Sequence, residues 1–320
     1  MAASDAADKY PAPQLAEFSL TLTPSAGSTT EPTTLHIGCM RNPESFDTGV
    51  VGDSCIRRSS TVESDASSEY SAASSVSMAL WAYIWSCNVF LCEITMTLPL
   101  SDATVHELGA GCALGAVSAA AAGAKAVTAS DIIVTAAAAV QHSVLRNKNA
   151  TPIEYTMFDW ADETARLELA GSADLVLGSD VAYMASAVPP LAASTLALLA
   201  PGGAAIIIDP CRLGADGLGQ ALEDESQRCG NAAARCYTLH NTWSPNNAAV
   251  PELRVFVVYK YQPEAPEGAV KTTELQRAVQ SSIEDYSKSR CCANMDDALT
   301  KAGLDSSSHT LDVQTLFVES

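Results

Sequence analysis

Positive charge is scarce in this sequence: 18 Lys and Arg stand against 37 Asp and Glu, a formal net charge of −19 over 320 residues. The excess of acid is no mere tail, since residues 1–82 carry 10 acidic and 4 basic groups and residues 83–260 carry 17 and 9. Such a surface repels phosphate backbones and argues against nucleic acid as a partner; it attracts a basic protein segment, and solubility alone explains the same charge equally well. Metal-binding patterns are also missing: the ten cysteines include no CxxC pair and no Cys–His cluster of zinc spacing. Cys87, Cys92 and Cys112 fall in apolar segments, where cysteine behaves as a small hydrophobe. Residues Met1 to Lys9 lack both the apolar core of a secretory leader and the Arg of an organelle presequence. Together these features predict reduced thiols and a cytoplasmic or nuclear location. No apolar run is clean enough for a membrane span: Met78–Leu100 is interrupted by Ser86, Asn88 and Glu93 and closed by Pro99, which reads as a buried helix. The Gly-x-Ser-x-Gly elbow is absent too, and His106, His142 and His240 have no partners at catalytic spacing, so they are read as packing or surface residues.

What is present divides the chain into four zones. Residues 1–56 form an extension with two short alternating pieces, Phe18–Leu22 and Leu35–Cys39, that read as one or two strands. Residues 57–77 hold nine serines and almost no large apolar group, too little to offset ordering entropy, and are predicted to be a disordered insertion. Residues 78–261 alternate strands with helices. The predicted strands are Thr104–Leu108, Ala126–Asp131, Ile153–Phe158, Ala173–Gly178, Ala204–Ile208, Ala234–Leu239 and Leu253–Lys260. Helices are expected after the first strand to about Ala122, over Val134–Asn147, over Pro189–Leu199 and over Gly217–Cys229. The alternation predicts an α/β fold, a Rossmann-like seven-stranded mostly parallel sheet. Residues 262–320 are an acidic tail with one helix, marked by capping-box spacing of Thr273 and Gln276 and a stripe of Leu275, Val279, Ile283 and Tyr286. Docking on the core and standing off it are both compatible with that helix, and standing off is the reading favoured.

The densest chemical signal is Val105-His-Glu107-Leu-Gly109-Ala110-Gly111 at the first strand–helix junction. Glycines there admit close backbone approach to a nucleotide-like ligand at a helix N-terminus. Leu114 stands where a dinucleotide fingerprint needs its third glycine, which disfavours a nicotinamide cofactor. Glu107, two residues before the first glycine, suits a cationic ligand instead; S-adenosylmethionine offers both a sulfonium and an ammonium. Asp131 ends the second strand and suits two ribose hydroxyls, although a helix cap would look the same. Asp159 and Trp160 end the third strand, where a carboxylate can accept from an adenine amino group and an indole can cover its face. Ser179-Asp180-Val-Ala-Tyr183 follows the fourth strand; a carboxylate and a phenol there can orient an amine, or simply cap and pack.

Taken together, Tyr83-Ile-Trp85-Ser-Cys87, Glu107–Gly111, Ser130-Asp131, Asp159-Trp160 and Leu177–Tyr183 resemble the seven-β-strand, methyltransferase-like protein-lysine methyltransferases (methyltransferase 16 type). The resemblance covers Leu80 to Lys260. It implies a class I S-adenosylmethionine-dependent methyltransferase, a cofactor site of Trp85, Gly109, Ala110, Gly111, Asp131, Trp160 and Ser179, and Asp180 and Tyr183 beside the substrate amine. It implies a protein side-chain nitrogen, lysine foremost, as methyl acceptor, without a metal, membrane or nucleic acid; the oligomeric state stays open. Ala113 and Ala116 replace positions that are often Gly, and Ser86 stands where Pro is usual. A small-molecule methyltransferase on the same fold, or a non-catalytic cofactor-binding scaffold, are the competing expectations.

Overall fold

The structure, a computed structural model, describes residues 15–22, 33–40, 86–133, 136–147, 151–210, 217–240, 252–262 and 272–290. Trp85 and the serine-rich segment 57–77 lie outside these residues. The elements, in chain order, are β1 (Leu15–Leu22), β2 (Thr33–Met40), α1 (Ser86–Thr95), β3 (Thr104–Leu108), α2 (Leu114–Ala121), β4 (Ala126–Asp131) and α3 (Ala136–Arg146). There follow β5 (Ile153–Met157), α4 (Glu163–Glu168), β6 (Ala173–Ser179), α5 (Val188–Leu198), β7 (Leu199–Asp209), α6 (Leu218–Cys229), β8 (Ala232–His240), β9 (Glu252–Lys260) and α7 (Glu274–Arg290).

Seven strands form one sheet in the order β5-β4-β3-β6-β7-β9-β8, and β9 alone runs against its neighbours β7 and β8. The chain leaves β3 towards β4 and β5, then crosses back to place β6 on the other side of β3. The topological switch point therefore lies where β3 and β6 end, the place at which an open α/β sheet binds its ligand. Central strands have to be apolar on both faces. In β7, Ala204, Ala205, Ile206, Ile207 and Ile208 are all fully buried, the even-numbered ones under α1 and α7 and the odd-numbered ones under α5 and α6. Each predicted strand of the sheet is present. The link from α5 to β7 needs no loop, because β7 begins at Leu199 and absorbs Pro201-Gly-Gly as an irregularity in its pairing with β6. Gly203 is required there, since a Cβ would lie 2.7 Å from the Asp174 carbonyl. Lys260 completes the junction by donating to the Leu196 and Leu199 carbonyls at 3.0 and 2.8 Å, which neutralises the negative end of α5.

α1 is ten residues long with Phe90, Leu91 and Ile94 buried, so it is the buried helix expected. No helix among the described residues is long and apolar enough to cross a membrane. The two N-terminal pieces pair as an antiparallel hairpin, and Leu35 and Ile37 are buried against Val89, Cys92, Leu114 and Val117.

The tail helix departs from expectation, because α7 docks. Thr273 and Gln276 form the reciprocal capping box, and Gln276, fully buried, also donates to the Gly203 and Lys260 carbonyls at 2.9 and 3.0 Å. Thr273 donates to the Gly202 carbonyl at 2.8 Å. Val279 and Ile283 are fully buried in the main core, and Tyr286 meets Phe90 edge-on and bonds Glu93 of α1. The stripe is narrow, but a polar latch anchors it; the sequence showed the capping box but not that Gln276 also reaches the sheet. Gln276→Ala is expected to lower stability by about 1–3 kcal/mol by orphaning buried carbonyls. Urea denaturation checks this, and an unchanged midpoint would show that α7 contributes nothing.

Candidate cofactor and substrate site

β3 delivers Glu107 into the interior, where it is 1% exposed. The chain then turns through three left-handed residues, Gly109 (φ 61°), Gly111 (φ 51°) and Ala113 (φ 59°). Glycine adopts that conformation freely, whereas Ala113 sits in it against its preference and marks a position where glycine would suit better. Two carboxylates hold the turn. The Glu107 oxygens accept from the Gly115 and Ala116 N–H groups at 3.2 and 2.7 Å, at the first turn of α2. Asp131, 8% exposed at the end of β4, accepts from the Gly111 N–H at 2.9 Å and the Ile133 N–H at 3.1 Å. The Ala110 N–H donates to the Ser130 carbonyl at 2.9 Å. Glu107 is thus aimed into the loop it braces.

Gly109 meets the other side of the site. A Cβ on it would lie 2.7 Å from Val181 Cγ1 and 3.1 Å from Trp160 Cζ2, so the indole and the post-β6 segment close upon its backbone. Trp160 is half-buried on the core, and Asp159 is exposed, its carboxylate accepting from the Ala161 N–H at 2.9 Å. Ser179 is buried and its hydroxyl has no hydrogen-bond partner among the described residues. Asp180, also buried, takes a left-handed φ of 55° and donates its N–H to the Ile208 carbonyl at 2.8 Å. Aspartate tolerates that region better than most residues. Tyr183 (41% exposed) and Met184 (42% exposed) form a rim. Partial burial, then the charges of Asp131 and Asp180, raise the Tyr183 pKa, which keeps its phenol a hydrogen-bond donor.

One sheet edge therefore gathers Glu107, Gly109, Ala110, Gly111, Asp131, Asp159, Trp160, Ser179, Asp180 and Tyr183; of the sequence candidates only Trp85 falls outside the described residues. Two residues escaped the sequence reading. Gly115 leaves room for the Glu107 carboxylate, since a Cβ would lie 2.5 Å from Oε1; its signal is a glycine within the first turn of the helix. Asp209 ends the all-apolar β7 at the same edge, fully buried and opposite Arg254 of β9. His106 matches its packing assignment, its ring bonded to Ser130 Oγ at 2.8 Å and its pKa lowered by burial to about 4.

A glycine cradle that a side chain would fill, an unpartnered buried hydroxyl and buried acids around the loop fit S-adenosylmethionine. The sheet is seven-stranded, mixed and mostly parallel, and these features lie at the ends of its central parallel strands. Residues 65–211 match the family described as lysine methyltransferase. Among solved structures, the chain is similar to a Streptococcus mutans protein assigned as a SAM-dependent methyltransferase, with 16% identity, a TM-score of 0.46 and coverage of 55% of this chain and 49% of that one. It thus spans about half the length of that protein. TYW2 of M. jannaschii in complex with AdoMet gives 16% identity, a TM-score of 0.43 and coverage of 58% and 81%. The N-methyltransferase NodS from Bradyrhizobium japonicum WM9 gives 17%, 0.38, 55% and 94%. No curated protein matches the chain significantly.

The buried acid makes stability depend on pH. Desolvation pushes the Glu107 pKa from 4.5 up to about 8, against the opposing pull of its two backbone bonds. The folded state holds a proton that the unfolded state has lost, so stability falls as pH rises from about 4.5 and levels off above about 8. His106 works the other way, with stability lost as pH falls from 6.5 towards about 4, and is silent above 6.5. Between pH 6.5 and 8 the urea midpoint is expected to fall for the native protein and to flatten for Glu107→Gln. Parallel curves would contradict this origin.

Proposed function

We propose that this protein transfers the methyl group of S-adenosylmethionine to a side-chain nitrogen of a protein, lysine foremost. The supporting observation is Asp180, buried at the switch point in a left-handed turn, with the exposed Tyr183 and Met184 beside it. The family match over residues 65–211 and a net charge of −19, attractive to a basic segment, favour the same reading. Within the family, Tyr83-x-Trp85-x-Cys87 is most similar to methyltransferase-like protein 23.

In this reading Gly109, Ala110 and Gly111 admit the cofactor to the backbone, Asp131 takes the ribose hydroxyls, and Trp160 and Asp159 meet the adenine. Trp85 and Ser179 complete the site. Glu107 acts chiefly by holding the loop. The bound cofactor supplies a methyl already activated on a sulfonium, open to in-line displacement. What remains for the protein is to align the nucleophile and remove its water. A lysine amine, with an ordinary pKa of about 10.4, has to lose a proton before it can attack. Asp180 orients the amine by its charge, Tyr183 donates a hydrogen bond and walls the aliphatic stem, and solvent carries the proton away.

The test incubates the protein and radiolabelled S-adenosylmethionine with a lysate lacking the endogenous enzyme. A discrete labelled protein is expected, its hydrolysate releasing methylated lysine. Asp180→Asn keeps the left-handed turn and should bind S-adenosylhomocysteine normally, while labelling falls on the order of 100-fold. Cofactor binding without any protein label would refute the protein substrate, and full labelling by Asp180→Asn would refute the role of Asp180.

A further inference from the structure

Glu107 and Asp131 lie at the ends of adjacent parallel strands and grip the same loop, one at each side. Both are buried, and the charge of Asp131 adds to the desolvation that disfavours an ionised Glu107. Among the described residues neither forms an ion pair with Lys or Arg. Lys125 precedes β4 at the opposite edge of the sheet. The titratable groups packed around the pair are of the wrong kind to help. Cys92 of α1, a fully buried thiol, faces Glu107; Tyr155 of β5 and Tyr183 of the segment after β6 face Asp131, with Asp180 beside Tyr183; and His106 of β3 is turned towards Ser130. Such a site holds a proton until a cation arrives.

We propose that this carboxylate pair senses the sulfonium: S-adenosylmethionine binds with release of a proton from Glu107 and Asp131, and S-adenosylhomocysteine, lacking that charge, binds without it. The inference rests on the cofactor assignment and not on the protein substrate. Methyl transfer breaks the carbon–sulfur bond with its electron pair left on sulfur, and the new carbon–nitrogen bond uses the amine's lone pair. The positive charge departs with the acceptor, the pair takes its proton back from water, and the spent cofactor loses its electrostatic hold. Substrate is thereby kept and product released by the same two acids, more sharply as pH rises towards 8.

The experiment is calorimetric titration of the full chain with each ligand at pH 6.5, in two buffers of different ionisation enthalpy. At that pH the ligands' own α-amino groups, ordinarily near 7.7–8.0, stay charged. S-adenosylmethionine is expected to release about one proton more than S-adenosylhomocysteine, and the ratio of their affinities to rise by up to about tenfold per pH unit below pH 8. Glu107→Gln or Asp131→Asn should shrink that difference; the comparison of the two ligands on the native protein decides the matter even if a variant fails to fold. Equal proton release with both ligands bound would overturn the proposal alone. Absence of binding by either ligand would overturn the cofactor assignment beneath it.

Discussion

The loop between β3 and α2 turns through three left-handed residues in a row of five, and it holds that shape only because two buried carboxylates occupy its N–H groups. Glu107 takes Gly115 and Ala116, and Asp131 takes Gly111 and Ile133. Every other part of the site is placed relative to this loop. Trp160 and Val181 close on Gly109, where a side chain would not fit. Asp180 hangs from the Ile208 carbonyl on the neighbouring strand, which fixes it at the same edge. Removing either carboxylate would free N–H groups in a dry interior, a cost of about 1–3 kcal/mol each.

The same interaction explains why burial of acid is tolerated. Desolvation alone would make two carboxylates at this depth unfavourable. Backbone N–H groups at a helix start offset part of that, because they carry the positive end of the helix dipole. What they leave uncompensated suits a ligand that brings its own positive charge, and a sulfonium is such a charge. Structural economy and ligand choice coincide at Glu107.

Much of this was legible in the sequence, for identifiable reasons. The strands of the sheet announced themselves because central parallel strands are apolar on both faces, as in Ala204–Ile208. The glycines at 109 and 111 announced the turn, and Asp131, Asp159 and Asp180 lay at strand ends where such a sheet puts its ligands. Less visible was the direction of a side chain. Glu107 read as a partner for a cationic ligand, and nothing in the spacing said that its oxygens would be taken by α2. The docking of α7 was hidden for a related reason: Gln276 looks like an exposed capping residue, yet its amide reaches the carbonyls of Gly203 and Lys260, whose positions depend on the whole sheet. The hairpin β1–β2 read only as fragments because its partners, Val89 and Leu114 among them, lie more than 50 residues away.

The central claim is that the edge formed by the glycine loop, Asp131, Trp160 and Asp180 is a cofactor site. A crystal structure of the protein grown with S-adenosylhomocysteine tests it most directly. The account expects the ligand at the ends of β3, β4 and β6, with its ribose hydroxyls on Asp131, its adenine against Trp160 and its sulfur turned towards Asp180. A ligand seated elsewhere, or an edge left empty at saturating concentration, would contradict it.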